Sequence, residues 1–167
     1  MKKLILVRHA KTEQVYDYSK SDFDRKLMSR GHKDSVIIAE QLKAKSILPS
    51  LFVTSKAKRA KQTAKIFAEH LGYPEDKIRK EQFIYDGYTT SEMLSYLSKV
   101  GEAHDTIIVF GHNPDIAGLT VNLITEDLWH FPTSCTTVIN FAADTWNDVE
   151  ARAGKVELYI YPKMFKE

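Results

Sequence analysis

A chain of 167 residues is long enough for one domain with a real core, one that buries roughly 70% of its unfolded surface. Its 43% hydrophobic and 28% charged residues exclude a disordered protein, and a single cysteine, Cys135, excludes internal disulfides and multi-cysteine zinc sites. With 24 basic against 22 acidic residues, a net charge of +2, nothing in the global charge points to nucleic acid.

Met1-Lys2-Lys3 followed by Leu4-Ile5-Leu6-Val7 imitates the start of a secretion signal. A signal needs an apolar run of ~7–15 residues, and this one stops at Arg8. No later stretch approaches the ~18 apolar residues of a membrane span, so the expectation is a cytoplasmic protein with no membrane partner. Residues 4–7, 51–53 and 107–110 are short, continuous apolar runs, the pattern of strands buried on both faces of a parallel sheet. After the first comes a long polar segment, residues 11–26, rich in tyrosine and aspartate; loops of that length in compact domains are usually functional or mobile. Val36, Ala39 and Leu42 mark a first helix. Ala60, Ala64, Phe67, Ala68 and Leu71 form the apolar stripe of a second, which ends at Gly72 before Pro74.

The spacing predicts a strand near residues 77–84 and a third helix around Met93, Leu94, Leu97 and Val100. Asn113-Pro114 reads as an N-cap with proline at the first helical position, opening a helix to about Ile124. Residues 136–141 and 156–161 look like strands that pair antiparallel at one sheet edge, with no helix in the polar stretch between them. The whole, residues 1–167, reads as a single domain of three-layer α/β/α architecture. Its sheet is expected to be mostly parallel, with an antiparallel strand near the C-terminal edge.

In open α/β sheets ligands bind beyond the carboxyl ends of the strands, and three of those ends carry unusual residues. The first strand ends in Arg8-His9, the second in Thr54-Ser55 with Arg59 just inside the next helix, and the fourth in Gly111-His112-Asn113. Any one of these would pass as structural. Together, two guanidiniums and a helix N-terminus suit a tetrahedral dianion, because the planar arginine fork meets phosphate oxygens in pairs. No GxxxxGK[ST] loop, GxGxxG or HExxH motif is present, so the expectation is a site without metal or cofactor. Arginines would then neutralise the developing charge and a neutral imidazole would supply the nucleophile.

LILVRHAKTE, DFDRKLMSRGHKDS, VTSKAKRAKQTA and IIVFGHNP resemble, in order and spacing, the histidine phosphatase superfamily with its phosphoglycerate mutase-like fold. The resemblance covers about residues 3–125, and the short chain is most similar to SixA-type phosphohistidine phosphatases. It implies that His9 attacks phosphorus and becomes a phosphohistidine intermediate. Arg8 and Arg59 would clamp the phosphoryl oxygens, His112 would donate a hydrogen bond to them, and Arg25 would turn toward the pocket. Asn113 would offer its backbone amide, or serve only as a helix cap. The implied substrate is protein phosphohistidine, with a small phosphomonoester or mere phosphate binding as alternatives.

The chain departs from the pattern in two places. Ala10 follows the reactive histidine where many members have glycine, although its carbonyl could still fix the His9 tautomer. The proton donor that mutases and many acid phosphatases carry after the third strand has only Glu81, Tyr85 and Asp86 as candidates, none in a convincing motif. His32, His70 and His104 read as solvated, and Cys135 as a small buried hydrophobe. Lys58, Lys61 and Lys65 form a basic helix face that could guide an acidic partner, and residues 129–132 an aromatic stretch for packing or a pocket rim.

Overall fold

The computed structural model describes residues 1–14 and 21–166. Six strands form one sheet: β1 (Lys2–Arg8), β2 (Leu51–Ser55), β3 (Arg79–Glu81), β4 (Thr106–Gly111), β5 (Thr136–Phe141) and β6 (Lys155–Ile160). Their order is β3-β2-β4-β1-β5-β6. The pairs β1–β4, β2–β4 and β2–β3 are parallel, while β1–β5 and β5–β6 are antiparallel, so β5 is the strand that runs against the rest. This is the α/β sheet expected from the sequence, and its continuous apolar runs have a direct cause. Leu4, Leu6, Ile107 and Val109 point to one face and Ile5, Val7, Ile108 and Phe110 to the other, each set joining a separate core.

The helices cover both faces. Ile38, Ala39 and Leu42 of α1 (Ser29–Ala44) and Ala64, Phe67 and Ala68 of α2 (Lys58–Leu71) pack on the face bearing Phe110. On the other face lie Ile84 of α3 (Gln82–Asp86), Met93 and Leu97 of α4 (Thr90–Val100), and Ile116, Leu119 and Leu123 of α5 (Asp115–Leu123). α2 ends where expected, with Gly72 in the left-handed conformation at φ +73°. α4 begins with a capping box in which Thr89 and Glu92 satisfy each other's backbone amides.

Two expectations need correction. The strand placed at residues 77–84 is only Arg79–Glu81, and Gln82–Asp86 turns into α3. The edge strand is short and polar, and Ile84 reaches the core from a helix, which makes the segment resemble a longer irregular strand. Asn113 is not a helix cap: α5 starts at Asp115, Pro114 occupies the cap position, and no side chain caps the turn. The side-chain amide of Asn113 instead donates to the carbonyl of Phe131 at 3.0 Å. Among the described residues no helix is long and apolar enough to cross a membrane.

Candidate active site

The carboxyl ends of β1, β2 and β4 meet beside one another, as the parallel register Arg8 with Gly111 requires. Here a cavity of about 470 Å³ is lined by Arg8, His9, Asp22, Arg25, Arg59 and His112, with Lys11, Thr12, Gln14, Asn113 and Thr133 completing its wall. The six residues singled out from the sequence, Arg8, His9, Arg25, Arg59, His112 and Asn113, therefore border one space. The middle of the 11–26 segment, residues 15–20, lies outside the described residues.

His9 sits on the floor, 6% exposed. Its amide donates to the Gly111 carbonyl at 3.0 Å, and the Ser134 amide donates to the carbonyls of both Arg8 and His9 at 3.1 Å. Ser134 adopts φ +63°, an uncommon backbone state for a non-glycine residue, of the kind that clusters at functional sites. The Nδ1 of His9 lies 2.9 Å from the Ala10 carbonyl. A carbonyl can only accept, so Nδ1 carries the proton and Nε2 keeps its lone pair. Burial pushes the His9 pKa down to about 3, opposed by the Ala10 bond and assisted by His112, Arg59 and Arg8. The ring is thus a neutral base at ordinary pH. Ala10 in turn donates its amide to Thr63 Oγ1 at 3.0 Å, which ties the end of β1 to α2, the helix that carries Arg59.

His112 faces His9 and is also buried, its Nε2 2.8 Å from Ser55 Oγ. Ser55 Oγ already accepts the Ala57 amide at 3.0 Å, so its own proton is available to Nε2. With the Ser55 proton on that bond, the neutral ring carries its own on Nδ1, which has no partner among the described residues. Burial, followed by the Arg59 charge, pushes the His112 pKa down to about 4, with Asp22 pulling the other way. Such a ring can donate one hydrogen bond to a phosphoryl oxygen.

Arg8 is anchored by donation from Nη1 to the Phe131 carbonyl at 2.9 Å, and burial lowers its pKa. Arg59, 5% exposed, donates from Nη1 to the Asp22 carbonyl at 2.7 Å and from Nη2 to the Asp22 carboxylate at 3.1 Å. Its guanidinium carbon lies 5.9 Å from the centre of the Tyr85 ring, which stands edge-on to His112. Arg25 donates from Nε to Asp22 Oδ1 at 3.0 Å and from Nη1 to Thr12 Oγ1 at 3.1 Å. The Nε atoms of Arg8 and Arg59 are buried without partners among the described residues, so two arginines and His112 keep donors unpaired by those residues at this one place.

Residues 4–83 match the model of the histidine phosphatase superfamily, branch 1. The crystal structure of the putative phosphohistidine phosphatase SixA from Agrobacterium tumefaciens aligns with a TM-score of 0.80 at 25% identity, over 96% of this chain and 98% of that one. The family match and the shared fold support the histidine phosphatase superfamily for this chain. The protein histidine phosphatase SixA complexed with tungstate shares its fold, with a TM-score of 0.82 at 20% identity over 98% of this chain and 99% of that one. An uncharacterized chloroplastic protein of Arabidopsis thaliana is 31% identical over 119 residues, 67% of this chain. The chain spans 54% of that relative's length. The motifs that carry the sequence resemblance lie within about residues 3–125 and the resemblance is weaker beyond, whereas the structural likeness extends over the last two strands.

Several neighbours of the site escape a reading of the sequence. Asp22 was visible only as part of the segment holding Arg25, yet it binds Arg59 across 37 positions of sequence. Thr63 lies in the VTSKAKRAKQTA motif, but nothing there shows that its hydroxyl accepts the Ala10 amide. The aromatic stretch contributes a backbone carbonyl, that of Phe131, while Trp129 is 86% exposed. Of the acid candidates, Glu81 accepts a hydrogen bond from Tyr96 and lies 3.8 Å from Arg79, and Asp86 accepts one from Gln82 at 3.1 Å; neither lines the cavity. Tyr85 donates to Asp22 Oδ2 at 2.9 Å, and its pKa is raised, first by burial and then by Asp22. His32 is exposed, whereas His70 pairs with Glu40 at 2.6 Å and His104 bonds Ser50 at 2.8 Å. Lys58, Lys61 and Lys65 line a separate surface groove with Lys80, and burial pushes the Cys135 thiol up to about 12.

Proposed function

We propose that this protein is a phosphatase in which His9 is the nucleophile, acting without metal or cofactor on protein-borne phosphohistidine. The bond from His9 Nδ1 to the Ala10 carbonyl carries this reading, because it leaves Nε2 as the ring's one nucleophilic atom beside a cavity rich in arginine. Nε2 attacks phosphorus, the bond to the substrate breaks, and phospho-His9 forms. Arg8, Arg59 and the Nδ1–H of His112 hold the equatorial oxygens, Arg25 and the backbone amide of Asn113 complete the phosphate site, and water then releases inorganic phosphate and restores His9. Residues 1–167 act as one domain in the cytoplasm, with no nucleic-acid partner. SixA, named a protein histidine phosphatase, shares the fold.

The substrate follows from the proton balance. An alkyl phosphate expels an alkoxide, for which a positioned acid contributes typically 10²–10⁴-fold. Glu81 and Asp86 are engaged elsewhere, and phosphohistidine, with its P–N bond and imidazole leaving group, needs such an acid least. The test is kcat/KM on phosphohistidine, an aryl phosphate and an alkyl phosphate. The expected order is the one just given, with Glu81→Gln and Asp86→Asn each costing less than about tenfold on phosphohistidine. A preference for the alkyl ester, abolished by either carboxylate change, would make the protein a small-molecule phosphomonoesterase instead.

A further inference from the structure

Asp22 occupies the arginine that a phosphoryl group needs. Both terminal nitrogens of Arg59 are engaged by this one residue, through its carbonyl at 2.7 Å and its carboxylate at 3.1 Å. The same carboxylate accepts the Tyr85 hydroxyl and, through its other oxygen, Arg25. The depth of the cavity orders these groups: His9 is 6% exposed at the floor, whereas the Asp22 side chain is 53% exposed at the mouth. A leaving group in line with His9 departs toward the mouth, and so passes Asp22.

We propose that Asp22 is the specificity-determining residue of this site: an internal anion that yields Arg59 to the phosphoryl group and then faces the leaving group. The inference deepens the phosphohistidine reading and rests on it. In phosphohistidine the ring nitrogen that does not bear phosphorus can carry a proton. Attack by His9 Nε2 forms one N–P bond and breaks the other. The electron pair of the broken bond stays on the departing nitrogen, the proton stays where it was, and a neutral imidazole leaves. That chemistry wants a carboxylate beside the ring to keep it protonated. It does not require a carboxylic acid. Partial burial pushes the Asp22 carboxyl up, but the Tyr85 hydroxyl and the charges of Arg59 and Arg25 together hold it below its ordinary value, so it stays ionised. The same charge opposes phosphate esters whose skeleton bears a carboxylate.

Asp22→Asn separates these effects from a purely structural brace. Inorganic phosphate, assayed as an inhibitor, should bind roughly tenfold more tightly to the variant, because an internal competitor has lost its charge. The ratio of kcat/KM on phosphohistidine to that on phosphoglycolate should fall by roughly tenfold or more. The alkaline limb of phosphohistidine hydrolysis should move to lower pH, since the ring loses the group that holds its proton. Asp22→Glu should restore the ratio at least partly. Unchanged or weaker phosphate binding in Asp22→Asn, with the substrate ratio and pH limb unmoved, would overturn the role of Asp22 alone. Wild-type protein that hydrolyses aryl phosphates and leaves phosphohistidine intact would overturn the substrate assignment itself.

Discussion

His9 and His112 face one another with ring centroids 5.3 Å apart and planes inclined by 49°. Neither is a comfortable place for a positive charge, since both rings are buried and Arg8 and Arg59 already crowd the same cavity. The pair is therefore held neutral, which suits one ring to attack and the other to donate.

That neutrality has a measurable consequence for stability. The unfolded chain takes up a proton at each ring near 6.5, whereas the folded site resists until about 3 for His9 and about 4 for His112. Between those limits the unfolded state binds more protons, so stability rises with pH and is lost as pH falls below 6.5. Going from pH 6.5 to 5 should cost about 2 kcal/mol per ring at most. Urea denaturation across this range should show the slope, and His9→Gln or His112→Gln should flatten it.

Replacing His9, the proposed nucleophile, tests the chemical step directly. His9→Ala should retain the fold and lose nearly all turnover. Acid-labile phosphate should be trapped on the wild-type chain quenched in mid-turnover and be missing from the variant. Substantial activity in His9→Ala would refute a covalent route through this ring.

The arginine clamp should behave as preorganised charge. Arg8→Ala or Arg59→Ala should each lower kcat by roughly 10²–10³-fold, the loss typical of one oxyanion contact. Lysine should rescue only in part, because it cannot form the paired contact. Tetrahedral anions such as tungstate should compete with substrate in the wild type and more weakly in either variant.

Ser55 links two elements of the site through one oxygen, bonding His112 Nε2 at 2.8 Å and accepting the Ala57 amide at 3.0 Å. Ser55→Ala should therefore lower kcat about tenfold while costing roughly 1–2 kcal/mol of stability. Ser55→Thr, which keeps the hydroxyl, should recover more of the rate. Equal losses in both variants would show that volume, rather than the bond, is what matters.

Gly31 lets the chain after His9 lie against α1. A Cβ built there would stand 2.2 Å from the Lys11 carbonyl oxygen, a backbone atom that already accepts the Met28 amide at 3.1 Å. Gly31→Ala should cost about 1–3 kcal/mol in thermal or chemical denaturation. It should also impair catalysis, because Lys11 and Thr12 line the cavity.

The parts of this protein that were legible in the sequence are those with short-range signatures. Residues 4–7 and 107–110 announce themselves because burial on both faces demands unbroken apolar runs. Arg8, His9 and His112 stand out because polar residues at the ends of such runs need a reason, and Arg59 because it follows a third strand end just inside the next helix. β3 fails that test: Arg79-Lys80-Glu81 is an exposed edge whose pairing with β2 leaves no hydrophobic trace. Asn113-Pro114 misleads because its dipeptide chemistry fits a cap, while the asparagine amide is drawn to Phe131 instead. The engagement of Arg59 by Asp22 has no local signature at all, since only the tertiary fold brings them together.

β1, the strand that delivers His9, has a further implication for how the protein comes into being. It is flanked by β4 and β5, whose pairing residues begin only at Thr106 and Thr136. Ribosomes extend chains at about 5–20 residues per second, so a newborn β1 waits on the order of ten seconds for its second neighbour. During that interval an apolar strand with open edges is exposed to wrong partners, the usual hazard of pairings distant in sequence. A nascent chain halted before Thr136 would already contain His9, Arg59 and His112 and still leave β1 without β5 on its other edge. Completion of the sheet around the strand that carries His9 thus depends on the last stretch of synthesis.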